Sequence, residues 1–390
     1  MPILHTVSSK RRSRAGDFFA VLLLLAILGG LGGLWWHQRH AVKTSKQPAA
    51  PVVRTEKKPT PNPSVVPSPN FVEKKAESPV EKSNPVLPVI SSNASARLPV
   101  AATEFPRPVQ SLLEAQVALA RRAISPGSID GAIGSQTRAA LTAFQLSEQL
   151  LESGKLDTNT RTQLSLDAPL LADYVVTTND RARLQPLGKT WLAKSEQSAL
   201  DYETILELVA EKAHSHPGLV QKLNPGVDWT HLIAGAVLKI PDVNYPEPDD
   251  KAAFIIIHLS DKFLEAFDAD TNLLAHFPCS IAARVEKRPV GELHVAVIAP
   301  NPNYTFDPAI FPESPEAQAI GHKLVLPPGP NNPVGVAWIG LDKPGYGMHG
   351  TPSPEQIGHT ESHGCFRLAN WDAEYLVKLV WIGMPVEVVP

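Results

Sequence analysis

The chain has 390 residues, 43% of them hydrophobic, and a formal net charge of −3 from 36 basic and 39 acidic side chains. That balance excludes a wholly disordered chain and argues against a nucleic-acid binder, since no folded-looking segment carries a basic stretch. Two cysteines, Cys279 and Cys365, exclude a disulfide-stapled scaffold, and no CxxC pair of a zinc ribbon or redox motif is present. The length admits two or three domains, and 38 prolines mark the chain as unusually rich in that residue.

Lys10, Arg11, Arg12 and Arg14 precede an uncharged apolar run from Phe18 to Trp36. As a helix this run spans about 28 Å, close to the hydrocarbon core of a bilayer. The basic cluster predicts a cytoplasmic tail over 1–17 and a single transmembrane helix over 18–36, with everything after it outside the cytoplasm. A cleaved signal peptide is the alternative. Trp35-Trp36-His37-Gln38 makes a poor cleavage site, whereas Gly29 to Gly33 offers small residues. Residues 37–108 read as a Pro-rich linker. Thirteen of the 68 residues from 41 to 108 are proline, and without an apolar period neither helix nor sheet is expected.

Residues 109–168 change character. Val109, Leu112, Leu113, Gln116, Val117 and Leu119 follow a helical period, and a turn-rich break spans Ser125 to Gly134. A second helix begins near Ser135 and a third near Thr158, so the pattern predicts a small three-helix bundle. Ile129-Asp130-Gly131, Ile133-Gly134, Thr137, Ala140-Leu141, Phe144-Gln145, Gly154, Asp157, Thr160 and Leu164 resemble the peptidoglycan-binding domain of cell-wall hydrolases.

Residues 172–243 read as an α+β module. Strands are expected at Tyr174 to Val176 and Ala236 to Pro241, with helices at Tyr202 to Ala213 and Pro217 to Leu223. Its two ends are similar to a LysM module. The stretch between Asp180 and Tyr202 exceeds a normal one, so glycan binding and a spacer packed on the next domain both stay open.

From residue 252 the period becomes two. Strands are expected at 253–259, 262–268, 273–281, 293–299, 336–341 and 386–389, with one clear helix at 370–380. This predicts a mainly β, sandwich- or barrel-like catalytic domain over 252–390. It contains His349 and the stretch Ser362-His363-Gly364-Cys365-Phe366-Arg367-Leu368, whose cysteine lies sixteen residues after that histidine. A thiol needs a base to ionise near neutral pH, and imidazole supplies one. In an extended chain His363, Cys365 and Arg367 share one face, while Phe366 and Leu368 point to the core. Gly364 admits a substrate close to the backbone, whose amides can form an oxyanion hole.

This stretch, with Gly347, Gly350-Thr351 and Ile357-Gly358, resembles the active-site motif of L,D-transpeptidases of the YkuD type. One departure is Arg288-Pro289-Val290-Gly291, where the family usually has Thr-Pro-Thr-Gly. The resemblance implies Cys365 as nucleophile, His349 as general base oriented by a carbonyl near Gly350, and His363 and Arg367 as substrate-positioning groups. Gly364 lies at the oxyanion amides, and Gly350, Thr351 and Ser362 line the substrate. It further implies stem peptides and glycan of peptidoglycan as partners, carbapenem-type β-lactams as inhibitors, no cofactor, and a bacterial inner-membrane protein with its catalytic domain on the periplasmic side. A stem tetrapeptide would acylate Cys365. An amine acceptor, on a second stem or a protein, would complete cross-linking or attachment, and water would give an L,D-carboxypeptidase.

Two rival readings come from other classes. His349, His359, His363 and Cys365 are ligand types for zinc, although no HExxH-like helix accompanies them. Alternatively the chain is a non-catalytic peptidoglycan anchor. Cys279, in a strand candidate, is expected to be buried and inert, and both thiols reduced in active enzyme.

Overall fold

A computed structural model describes residues 104–359, 362 and 364–390. The expected cytoplasmic tail, the anchor over 18–36 and the linker up to residue 103 lie outside the described residues, as does His363. Among the described residues no helix is long and apolar enough to cross a membrane.

The first module opens with a two-residue ribbon, β1 (Arg107–Pro108) against β2 (Ser165–Leu166). The linker therefore ends before residue 108. Arg107 is held by Glu114 at 2.8 Å, and a proline is tolerated in an edge pairing this short. Three helices follow: α1 (Leu112–Ala120), α2 (Ser135–Ser147) and α3 (Thr158–Gln163). Ser111 and Asp157 cap α1 and α3 by accepting from the Glu114 and Thr160 amides. Leu119, Ile129, Leu141, Phe144 and Leu164 form the core between them.

In the second module β3 (Leu171–Val175) pairs antiparallel with β4 (Val237–Pro241). Between them lie α4 (Thr178–Ala182), α5 (Trp191–Ser195), α6 (Ile205–Lys212) and α7 (Pro217–Leu223). Capping boxes at Thr177/Asp180 and Thr204/Glu207 start α4 and α6, and Pro217 opens α7. Leu184 still packs on this module's core, but from Leu187 to Leu200 the chain leaves it. Trp191 stacks on Phe306 at 4.4 Å, and Leu200 is buried with Phe306, Ala317, Leu324 and Leu326 of the third module.

The third module comprises β5 (Phe254–His258), β6 (Phe263–Phe267), β7 (Leu273–Pro278), β8 (Gly291–Pro300), β9 (Tyr304–Phe306), α8 (Pro315–Ile320), β10 (Leu324–Leu326), β11 (Ala337–Leu341), β12 (Gly347–His349), β13 (Phe366–Arg367), α9 (Asn370–Leu379) and β14 (Pro385–Val389). Its main sheet runs β13-β12-β11-β8-β14-β5-β6-β7. β8 is long enough to pair with β14 through its first half and β11 through its second. The chain leaving β7 then returns to the far edge. Ser280 and Arg367 exchange both backbone hydrogen bonds at 2.9 and 3.0 Å. The sheet is thereby curled nearly shut around Ile255, Ile257, Phe277, Ile339, Met348 and Phe366, with α9 packed on it. The sequence reading has one helix in this domain. The structure adds α8, six residues capped by Ser314 and too short to display an apolar period.

Candidate active site

β12 and β13 run parallel, which sets His349 opposite Arg367 and Met348 opposite Phe366. Cys365 immediately precedes β13. Phe366 and Leu368 are 1% and 0% exposed and anchor this strand in the core. Arg367 projects toward a cleft of about 160 Å³ that it shares with Ser280, Thr351, Ser353 and Gln356.

His349 is buried and its ring stacks on Trp338, its β11 neighbour, at 5.6 Å. Its Nδ1 lies 2.7 Å from the Gly350 carbonyl oxygen. A carbonyl only accepts, so Nδ1 carries the proton and Nε2 keeps a lone pair for a proton in transit. Burial pushes the imidazole pKa down to about 4, against the Gly350 hydrogen bond and with the help of the Arg367 charge. The ring is therefore neutral, and able to accept, throughout the physiological range.

The Cys365 Sγ lies 3.5 Å from the Gly345 carbonyl. Burial pushes the thiol up to about 11, opposed by the Gly347 backbone and Arg367. Burial therefore disfavours the ionised form of both groups. The loop holding Cys365 is pinned by Ser362, whose hydroxyl donates to the Cys365 carbonyl at 2.5 Å and accepts the Gly364 amide at 3.2 Å. Ser362 itself is tied to the segment after β7, donating its amide to Ile281 and accepting that of Ala283.

Of the expected substrate-lining residues, Thr351 lines the cleft but is only 4% exposed. Gly350 is buried where a side chain has no room, because a Cβ there would lie 2.3 Å from Asn370 Oδ1. Ser362 spends its hydroxyl on the loop. Gly364 is open, with Tyr346 3.8 Å from where its Cβ would be. His363 lies outside the described residues. Both cysteines are free, and Cys279 is fully buried with its thiol pushed up to about 12.

Sequence reasoning missed Tyr304, Tyr346 and Asn370. Burial raises the Tyr304 hydroxyl, with coulombic contributions from Cys365 and Asp307 in the same direction. No local pattern marks it, because the β9–β10 hairpin reaches the site only through the tertiary fold. Asn370 had a readable signal as the first residue of α9, but no side-chain partner can be read from a sequence. Among the described residues no group of three or more His, Cys, Asp and Glu side chains is placed to hold a metal ion.

Cys365, leading into β13, and His349 of β12 thus lie on neighbouring parallel strands at one end of a curled sheet. Residues 252–388 match the family model of the YkuD L,D-transpeptidase catalytic domain, and 109–164 match that of a peptidoglycan-binding domain. Among individual relatives, the chain is 27% identical to YkuD of Bacillus licheniformis over 188 residues, 48% of this chain and 94% of that protein. It is 31% identical to the probable L,D-transpeptidase YbiS of Escherichia coli over 170 residues, 43% of this chain and only 54% of that one. Alignment to the crystal structure of L,D-transpeptidase 3 from Mycobacterium tuberculosis covers 41% of this chain and 77% of that one at 18% identity. Its TM-score of 0.29 is too low to bear on the assignment, which rests on the family models.

Proposed function

We propose that the chain is a cell-wall L,D-transpeptidase that works through a thioester on Cys365. The observation that carries this reading is the Nδ1–Gly350 hydrogen bond. It fixes a neutral His349 with its Nε2 lone pair available, on the strand paired with the one that Cys365 leads into.

The Sγ attacks the carbonyl between the L-centre and the terminal D-residue of a stem tetrapeptide. Because burial disfavours the thiolate, the thiol proton passes to His349 Nε2 as the C–S bond forms. That proton then goes to the departing amine, so D-alanine leaves and a thioester remains. Arg367, lining the cleft, and His363 position the substrate and its carboxylate, and amides at Gly364 and Cys365 hold the oxyanion. The free amine of a second stem, or of a protein, next attacks the thioester and returns the thiol. The bond broken supplies the energy of the bond made, and no cofactor enters.

The other modules fit the same setting. The match over 109–164 points to glycan or stem contacts outside the catalytic cleft. The pairing of β3 with β4 around α6 and α7 supports a LysM-like origin, while the extra helix α5 within the 181–201 stretch favours a spacer role. Residues 18–36 would anchor the chain in the inner membrane, with the linker carrying the catalytic domain out into the periplasm. Carbapenems, whose strained carbonyl is open to the same sulfur, would acylate Cys365.

The test is product analysis of the full chain with purified disaccharide-tetrapeptide. Cross-linked dimer with loss of one alanine is the expected product. Tripeptide alone would make the protein a carboxypeptidase, and muropeptide left unchanged by folded protein would contradict both readings and favour a non-catalytic anchor.

A further inference from the structure

One side chain of the second module reaches, by way of Asn370, the backbone behind His349. Glu211, near the end of α6, accepts from Asn370 Nδ2 at 3.0 Å through one carboxylate oxygen. Its other oxygen accepts from the Tyr202 hydroxyl at 2.9 Å. Asn370 is 1% exposed at the start of α9. Its Nδ2 also donates to the Pro330 carbonyl at 3.1 Å, and its Oδ1 accepts the Val336 amide at 3.3 Å. That same Oδ1 sits in the hollow left by two glycines, 2.0 Å from where a Cβ on Gly335 would be and 2.3 Å from one on Gly350. The Gly350 carbonyl in turn fixes the His349 tautomer.

We propose that Glu211 and Asn370 are positioning residues for His349, so that the second module completes the catalytic site instead of merely spacing it. This rests on the function proposed above. An amide side chain can rotate about its last bond. Glu211 acts with the Pro330 carbonyl and the Val336 amide to remove that freedom, holding the NH2 face toward itself and Oδ1 against Gly335 and Gly350. The backbone at Gly350 is then held, and with it the carbonyl that selects the Nδ1–H form of the ring. Burial raises the Glu211 carboxyl to about 7, with Asn370 and Tyr202 opposing and Glu207 and Glu374 adding to the shift. The contact needs an acceptor, which a neutral carboxyl or an amide also provides.

A neighbouring contact supplies the control. Glu207, one turn earlier on α6, accepts from Asn331 Nδ2 at 2.5 Å. It docks the same helix on the same domain without touching Asn370.

The experiment measures acylation and turnover of disaccharide-tetrapeptide by the full chain, with urea unfolding of each variant alongside. Glu211→Met keeps volume and removes the acceptor, and Asn370→Asp breaks the same contact from the catalytic side. Both should lower kcat and the single-turnover acylation rate about tenfold, with KM little changed. Glu211→Gln, which retains an acceptor, should restore the rate to within about twofold of wild type, and Glu207→Ala should cost interface stability but not rate. Wild-type acylation by a folded Glu211→Met or Asn370→Asp overturns the inference, as does an equal slowing in Glu207→Ala. If the wild-type chain itself forms no adduct at Cys365, the proposed function falls, and this inference with it.

Discussion

Burial disfavours the charged form of both Cys365 and His349. Burial holds the thiol near 11 and the imidazole near 4. Reaction with a simple alkylating agent, which offers no oxyanion and draws only on the thiolate, should therefore be slow and climb steadily with pH. The expected result with iodoacetamide is a rate at Cys365 that rises about tenfold per pH unit from 6 to 9. A plateau beginning below pH 8 would reveal a preformed thiolate–imidazolium pair instead. Cys279, fully buried, should stay unlabelled throughout. At this scale the placement of Cys365 and Arg367 was legible in the sequence because they alternate with Phe366 and Leu368, which the structure buries. Tyr304 and Asn370 were not, since their proximity to the site is made by sheet order and helix docking rather than by spacing.

The strands that carry the site are short, three residues in β12 and two in β13, and owe their register to the long strands behind them. β5, β6 and β7 were readable from alternation alone. β13 was not, since two residues have no period, and its place follows from Phe366 and Leu368 seeking the core. The two edges of the sheet are joined by the Ser280–Arg367 exchange, so a change in β6 or β7 bears on the site from behind. Glu265 of β6 illustrates the stakes. Burial alone would raise its carboxyl, but His276, hydrogen-bonded at 3.1 Å, and His258, 3.5 Å away, bring it from 4.5 to about 2. A lowered carboxyl stabilises the fold above pH 4.5, and the contribution is lost as pH falls from 4.5 toward 2. Glu265→Gln should cost up to about 3 kcal/mol at pH 7 and flatten the acid limb of the stability curve. Urea midpoints for the two proteins that stay parallel from pH 7 to pH 3 would refute this.

Across the described part of the molecule the three modules are fastened at separate seams. The 123–125 loop covers the open edge of β7, with Ser125 donating its backbone amide to His276 and His276 donating to Ala123. Behind it, Ser125 and Tyr245 both donate to Asp372 of α9, at 3.1 and 2.5 Å. The second module adds Trp191, whose ring stacks on Phe306 and whose backbone amide donates to Glu316. Trp191 braces the β9–β10 hairpin through Tyr304 and Phe306. Trp191→Ala should therefore cost about 3 kcal/mol in urea unfolding and weaken acylation as well. A variant with unchanged stability would show that 181–201 is a passive insertion. Module boundaries were visible in the sequence as changes of composition and period. The seams were not, because Trp191, Ser125 and Glu211 read locally as ordinary helix and turn residues, and only docking gives them partners.

The whole account depends on covalent capture at one sulfur. Full-length protein incubated with meropenem and digested for peptide mass spectrometry tests it most directly. The predicted result is a single drug-sized mass increase on the peptide containing Cys365, with matching loss of muropeptide turnover. Turnover that continues in the drug's presence while Cys365 stays unmodified would contradict it.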